Sequence, residues 1–180
     1  MMAQAHPKLA LRPFLPADAP LAAEIFRASI EELTGDDYSA SQQEAWAAMA
    51  DDVEEFGARL ANSLTLLGTI DGSPVGFASL EGQDFKTDKQ ARIDMLYVHP
   101  AATGHGVASM LIDALEKLAA ARGAGKLSAD VSDSAEGFFK RRGFVPQQRN
   151  SVPLGNEWLA NTTMEKKLAA TEPPTKERLQ

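Results

Sequence analysis

Two glycines one residue apart, in Thr103-Gly104-His105-Gly106-Val107-Ala108, sit where the chain passes from a strand pattern to a helix pattern. Residues 93–98 are β-branched, aromatic and aliphatic apart from one charge, and they stop just short of Pro100, as a buried strand does. Val107, Met110, Leu111, Ala114, Leu115 and Leu118 then recur at helical spacing. Glycine has no Cβ, so the backbone can turn tightly and a ligand can approach its amides. The first amides of a helix lack an internal partner and lie at the positive end of the macrodipole. Strand, glycine turn and helix together therefore suit a phosphate or pyrophosphate. No lysine follows the last glycine, which argues against a nucleoside triphosphate loop. A dinucleotide fingerprint fails as well, because Ser109 stands where its third glycine belongs and no early βαβ repeat surrounds the site.

The one charge in that strand is Asp94, among Ile93, Met95 and Leu96. Such surroundings desolvate a carboxylate and favour its use as a base, directly or through water. Strict alternation puts 94, 96 and 98 on one face and Tyr97, as a core aromatic, on the other. The plainer reading pairs Asp94 with Arg92 or another basic residue at the sheet surface. Glu81, at the end of the preceding strand, is a second candidate base, and either carboxylate could instead recognise a cationic amine.

The elements that must position these groups follow from periodicity and turn residues. Strands are expected over 9–14, 64–70, 75–80, 93–98, 127–131, 144–152 and 158–166. Helices are expected over 21–33, from Ser39 or Ser41 through Met49, over 52–62, from Val107 and over 134–142. Asp18 could cap the first and Gly35 could end it. Asp71-Gly72 is a hairpin turn, and 81–90 reads as a polar loop or strand end. Residues 1–8 look like a loose, flexible start and 169–180 like a flexible tail without apolar period.

At 180 residues the chain suits one domain with a good core. Its net charge of −7 and scattered aromatics disfavour nucleic acid and anionic membrane as partners. There is no cysteine, which excludes disulfides, thiolate metal sites and cysteine nucleophiles, and the three histidines are too spread for a metal centre. No apolar run reaches membrane-spanning length and the first residues lack a signal-peptide core, so a cytoplasmic location fits.

The stretch 92–118 resembles the signature of the GNAT superfamily of acetyl-CoA-dependent N-acetyltransferases, Arg/Gln-x-x-Gly-x-Gly/Ala after a strand ending in Val-x-Pro. Val98-His99-Pro100 supplies the strand end, Thr103, Gly106 and Ala108 take the motif positions, and Gly104 is the frequent extra glycine. Thr103 departs from the usual Arg or Gln, which removes one side-chain contact to the coenzyme. Ala135 to Phe144 is similar to the family's late pattern A-x-x-F-Y/F-x-x-x-G-F. Residues 39–47 with 93–98 also look like a bacterial subgroup of acetyltransferases, a likeness that names no substrate. The resemblance spans 9–167 and implies one domain of α/β (α+β) class, a mixed, twisted sheet of about seven strands flanked by about four helices.

That resemblance implies an acetyl-CoA-dependent N-acetyltransferase acting on a primary amine of a small molecule or peptide, by direct attack in a ternary complex and without a metal. A non-catalytic acyl-CoA-binding module is the alternative. Mapped onto this chain, the backbone of Leu96, Tyr97 and Val98 would hold the coenzyme's pantetheine arm, and Thr103, Gly104, His105, Gly106, Val107, Ala108 and Ser109 would cradle its pyrophosphate. Ser132 stands where an asparagine often touches the arm. Phe139 stands where many members have a tyrosine acid, so Tyr97, Tyr38 or water would take over, or no dedicated acid would act. Trp46 and Trp158, the latter with Glu157 at a strand start, could line the acceptor site. His105 reads as a solvent-facing loop residue, and Lys140-Arg141-Arg142 as a solvated face or a 3′-phosphate contact. The acidic surface would steer basic or polyamine-like acceptors, and edge strands near the C-terminus could pair two copies as a homodimer.

Overall fold

The computed structural model describes residues 5–81 and 90–169. Residues 82–89 of the polar loop expected over 81–90, the first half of the loose start and all but the first residue of the tail lie outside them. Seven strands form one sheet: β1 Leu9–Pro13, β2 Leu64–Ile70, β3 Ser73–Leu80, β4 Gln90–Val98, β5 Lys126–Ser132, β6 Val145–Leu154 and β7 Glu157–Lys167. Their spatial order is β1-β2-β3-β4-β5-β7-β6. Only the β4–β5 pair is parallel. Five α-helices are described rather than about four: α1 Ala19–Leu33, α2 Ala40–Ala47, α3 Val53–Ala61, α4 Val107–Ala121 and the six-residue α5 Glu136–Arg141. None is long and apolar enough to cross a membrane.

Local chemistry explains most boundaries. The Ser39 hydroxyl accepts a hydrogen bond from the Gln42 amide while the Ser39 N–H donates one to the Gln42 side-chain oxygen, a reciprocal cap that starts α2. Asp52 caps α3 through the Glu55 amide. Asp71 and Gly72 both hold positive φ, as a tight hairpin between β2 and β3 requires. Two expected caps fail. The Asp18 carboxylate turns back to Arg12 and the Leu15 amide, and α1 ends at Thr34, with Gly35 outside the left-handed region. β4 also begins earlier than expected, at Gln90, because its first residues pair with β5.

The sheet separates two cores. On one face Ala78, Leu80, Ala91 and Ile93 pack with Leu111, Ile112 and Leu115 of α4, and with Phe139 and Phe144 near α5. On the other, Phe77 and Met95 pack with Ile25, Phe26 and Ile30 of α1 and with Phe56 and Leu60 of α3. The first helices cover the middle of the sheet, whereas β6 is exposed along nearly its whole length.

Candidate active site

β4 and β5 run side by side only from Gln90 with Lys126 to Ile93 with Ala129. Beyond that point they part, so Asp94 to Val98 lack a strand partner on the β5 side while keeping β3 on the other. A cleft of about 200 Å³ opens there, lined by Ile93, Asp94, Leu96 and Tyr97 of β4, Ala129 to Ser132 of β5, and Phe139. Backbone groups on its walls can bond an extended ligand as another strand would.

The parting coincides with a register shift. Leu80 of β3 pairs with Ile93 but Ser79 pairs with Met95, leaving Asp94 as the extra residue of a β-bulge. Ile93, Leu96 and Val98 belong to the α4 core, and Met95 and Tyr97 to the α1 core. The bulge therefore overturns the alternation expected from sequence: Asp94 shares a face with Tyr97, not with Leu96 and Val98. There Arg59 of α3 grips the Asp94 carboxylate through Nε at 2.9 Å and Nη2 at 2.6 Å. Asp94 is 13% exposed in its side chain and Arg59 46%. The pairing with Arg92 does not occur; Arg92 bonds Asp130 and lies 3.2 Å from Glu81. Glu81 itself is exposed and lines neither cavity.

A second cavity, of about 290 Å³, opens on the α1–α3 side. It shares Trp46, Asp94, Tyr97, Asp130 and Ser132 with the cleft. Arg59, Arg92, Tyr38, Met49, Leu154, Leu159 and Asn161 complete much of its wall. Asp130 is held by Arg92 on one oxygen and by the Thr163 hydroxyl at 2.6 Å on the other.

Tyr38 is buried and Tyr97 half-buried, each among aromatic rings and hydrogen bonds. Tyr97 packs against Phe26, Phe77 and Trp46. Burial pushes its phenol well above the ordinary value, against the pull of the Trp46 N–H bonded to it, so the hydroxyl keeps its proton through neutral pH. Tyr38 donates to the Ala160 carbonyl at 2.6 Å and accepts from the Asp133 amide at 3.0 Å, and burial raises it too. Phe139 offers only a ring, packed edge-on against Phe138 and Phe144.

Behind the end of β4, Gly104 and Gly106 hold φ of 80° and 82°. A side chain is strained at either, since a Cβ crowds the carbonyl in that conformation. Gly106 is the N-cap of α4 and supplies no side chain, and the helix carries no acid in its first turn. The amides of Val107, Ala108 and Ser109 thus lack helical acceptors and face no competing carboxylate from the helix itself. Thr103 turns its hydroxyl onto the Pro100 carbonyl at 2.9 Å, and His105 folds its ring back onto the carbonyls of Ala102 and Thr103. Both residues are exposed, as expected for His105, but these side-chain hydrogen bonds are made to the loop's own carbonyls, leaving the backbone amides at the start of α4 without a side-chain cap.

The structure brings Asp94, Leu96, Tyr97, Ser132, Phe139 and Trp46 to one cleft. Trp158 does not join them: its side chain is 61% exposed, because alternation along β7 turns the neighbouring Leu159 inward. Its contribution is a carbonyl that accepts from Gln42. Sequence reasoning missed Arg59, Arg92 and Asp130 as wall residues. Asp130 carried the signal that singled out Asp94, a lone charge inside an apolar strand; Arg59, one place before Leu60 on the apolar stripe of α3, carried a weaker one. Lys140 and Arg142 of the basic run are paired with Glu136 and Asp113. Among the described residues no cluster of His, Asp or Glu could hold a metal.

Comparison with known proteins adds a frame. The model of the acetyltransferase (GNAT) family matches residues 27–144. The "Uncharacterized N-acetyltransferase YafP" of Escherichia coli (strain K12) is 31% identical over 154 residues, 86% of this chain and 93% of that protein. A crystal structure from Rhodopseudomonas palustris, described as a "GCN5-Related N-acetyltransferase: Aminotransferase, Class-II", is 58% identical with a TM-score of 0.83, covering 93% of this chain and 99% of that one. The PaiA N-acetyltransferase of Thermoplasma acidophilum, solved with coenzyme A, shares the fold at 20% identity and a TM-score of 0.73, over 89% of this chain and 99% of its own.

Proposed function

The chain belongs to the acetyltransferase (GNAT) family and is an acetyltransferase, and from that premise we propose that it transfers acetyl from acetyl-CoA to a primary amine by direct attack in a ternary complex. The observation that carries this reading is the parting of β4 from β5 beside an uncapped helix N-terminus with two left-handed glycines. The unpaired edge of Leu96, Tyr97 and Val98 suits the amide-bearing pantetheine arm. The amides from Gly104 to Ser109 suit the pyrophosphate, where the helix dipole favours negative charge. Ser132 and Phe139 line the same cleft and would flank the arm.

Acetyl-CoA supplies a thioester carbonyl. The amine nitrogen bonds to the acetyl carbon, the carbon–sulfur bond breaks, the nitrogen loses one proton and the sulfur gains one, giving an acetamide and the coenzyme thiol. A backbone N–H on the open edge of β4 is suited to receive the charge that develops on the carbonyl oxygen, being fixed before reaction begins. Asp94, on the bulge and in the wall of both cavities, is the carboxylate best placed to take the amine's proton, directly or through water. Arg59 then fixes its orientation. Tyr97, protonated and lining both cavities, is the phenol suited to meet the leaving sulfur, whereas both sides of the Tyr38 hydroxyl are already engaged.

The test is calorimetric titration of acetyl-CoA followed by an amine panel with free-thiol release as the readout. Saturable binding with acceptor-dependent release is expected. Binding without release on any amine would favour a non-catalytic module, and no binding would refute the coenzyme site.

A further inference from the structure

We infer that the acceptor is a small amino acid-like amine that carries a carboxylate, with an apolar side chain, rather than a polyamine. This inference rests on the reading of the site as an amine acetyltransferase and names the acceptor class. Four formal charges line the acceptor cavity among the described residues: Arg59, Arg92, Asp94 and Asp130. They cancel, and each carboxylate is already held by one of the guanidinium groups. A polyamine needs surplus negative charge at intervals along its length, and the four lining charges supply none; Glu81, 3.2 Å from Arg92, lies outside the lining.

The hydrogen-bonding capacity left over is of the other kind. Arg59 engages Asp94 with Nε and Nη2, and Arg92 engages Glu81 with Nε and Asp130 with Nη2. The Nη1 group of each has no partner among the described residues, and both side chains are nearly half exposed. Two guanidinium edges with unassigned donors in one small cavity suit a carboxylate, which accepts charge-assisted hydrogen bonds in a planar arrangement. The rest of the wall includes Met49, Leu154 and Leu159, which suits an aliphatic or aromatic side chain. Asp94 stands where the cavity meets the cleft, so an amine one or two bonds from the carboxylate would lie between the guanidinium edges and the open strand.

The experiment uses the full chain saturated with acetyl-CoA and compares matched acceptors by thiol release: L-leucine against isoamylamine, L-phenylalanine against phenethylamine, and spermidine. The amino acids should exceed their decarboxylated partners by about tenfold or more in kcat/KM, the scale of a charge-assisted hydrogen bond. Arg59→Gln and Arg92→Gln should each bring that ratio toward one while acetyl-CoA affinity, measured by calorimetry, stays the same. A merely structural role for either arginine would lower turnover of all acceptors without changing the ratio. The inference is overturned if isoamylamine, phenethylamine or spermidine is the better acceptor, if the ratio survives both substitutions, or if acetyl-CoA-loaded protein turns over no amino acid. Failure to bind acetyl-CoA at all would mark the failure of the underlying reading instead.

Discussion

From Gln90 to Ile93, β4 is paired with β5 residue by residue, and Ala91 and its partner Leu127 are fully buried. From Asp94 to Val98 the β5 edge is open, Asp94, Leu96 and Tyr97 line the cleft, and the first residue is the bulge that carries a gripped carboxylate. The change from a structural half to the half we propose to be reactive falls at a single residue. One inserted position ends the parallel pairing and turns a carboxylate toward the acceptor side, while Leu96 and Val98 remain anchored in the α4 core. Stability and chemistry can therefore be altered separately along one strand.

The largest effects should come as a matched pair. Asp94→Asn is expected to slow thiol release about a hundredfold or more, as loss of a proton acceptor does, with little change in the unfolding midpoint. Leu127→Ala, beside the paired half, should do the reverse: denaturant unfolding loses about 2–5 kcal/mol, while the folded protein binds acetyl-CoA as before. Were both variants to lose stability and turnover together, the division of the strand would be wrong.

Gly106→Val comes next. A β-branched residue at that left-handed position is strained by about 1–2 kcal/mol, and its side chain would stand where the pyrophosphate is expected. Acetyl-CoA affinity by calorimetry should fall at least about tenfold, and unchanged affinity would mean that the loop does not hold the coenzyme.

The smallest effect sharpens the comparison from outside. Arg12 holds the Asp18 carboxyl below the usual carboxylate range, with the Leu15 amide assisting. A group whose folded pKa is lowered adds stability that is present above its unfolded pKa and is lost as pH falls through the folded one. Asp18→Asn should therefore flatten the decline in stability below about pH 4, by about 0.5 kcal/mol for a part-buried pair at the surface. Thermal unfolding across that range reads it, and thiol release at neutral pH should not change.

The α4 side of the site was far more legible in the sequence than the acceptor side. The loop proposed to hold the pyrophosphate would act through its backbone, and the glycines that permit its conformation, the strand before it and the helical period after it are all local. The hairpin at Asp71-Gly72 and the cap at Ser39 were readable for the same reason, although the Asp18 and Gly35 caps show that residue type alone does not fix where a side chain turns. The acceptor cavity depends on contacts distant in sequence: Arg59 with Asp94 across 35 residues and Arg92 with Asp130 across 38. The bulge has no mark of its own in sequence, because Ile93-Asp94-Met95-Leu96 reads as regular alternation until the partner strand sets the register. Trp158 was expected at the acceptor site because it begins a strand that often lines it in the family, but strand parity turns it outward.

Amide hydrogen exchange with and without acetyl-CoA tests the central claim most directly. Saturating coenzyme should slow exchange in Gly104 to Ser109 and at those amides of Leu96, Tyr97 and Val98 that face the open edge, while Ala91 and the paired half of β4 stay as they were. Protection confined to other segments, or none in the loop and the open strand despite measurable binding, would contradict it.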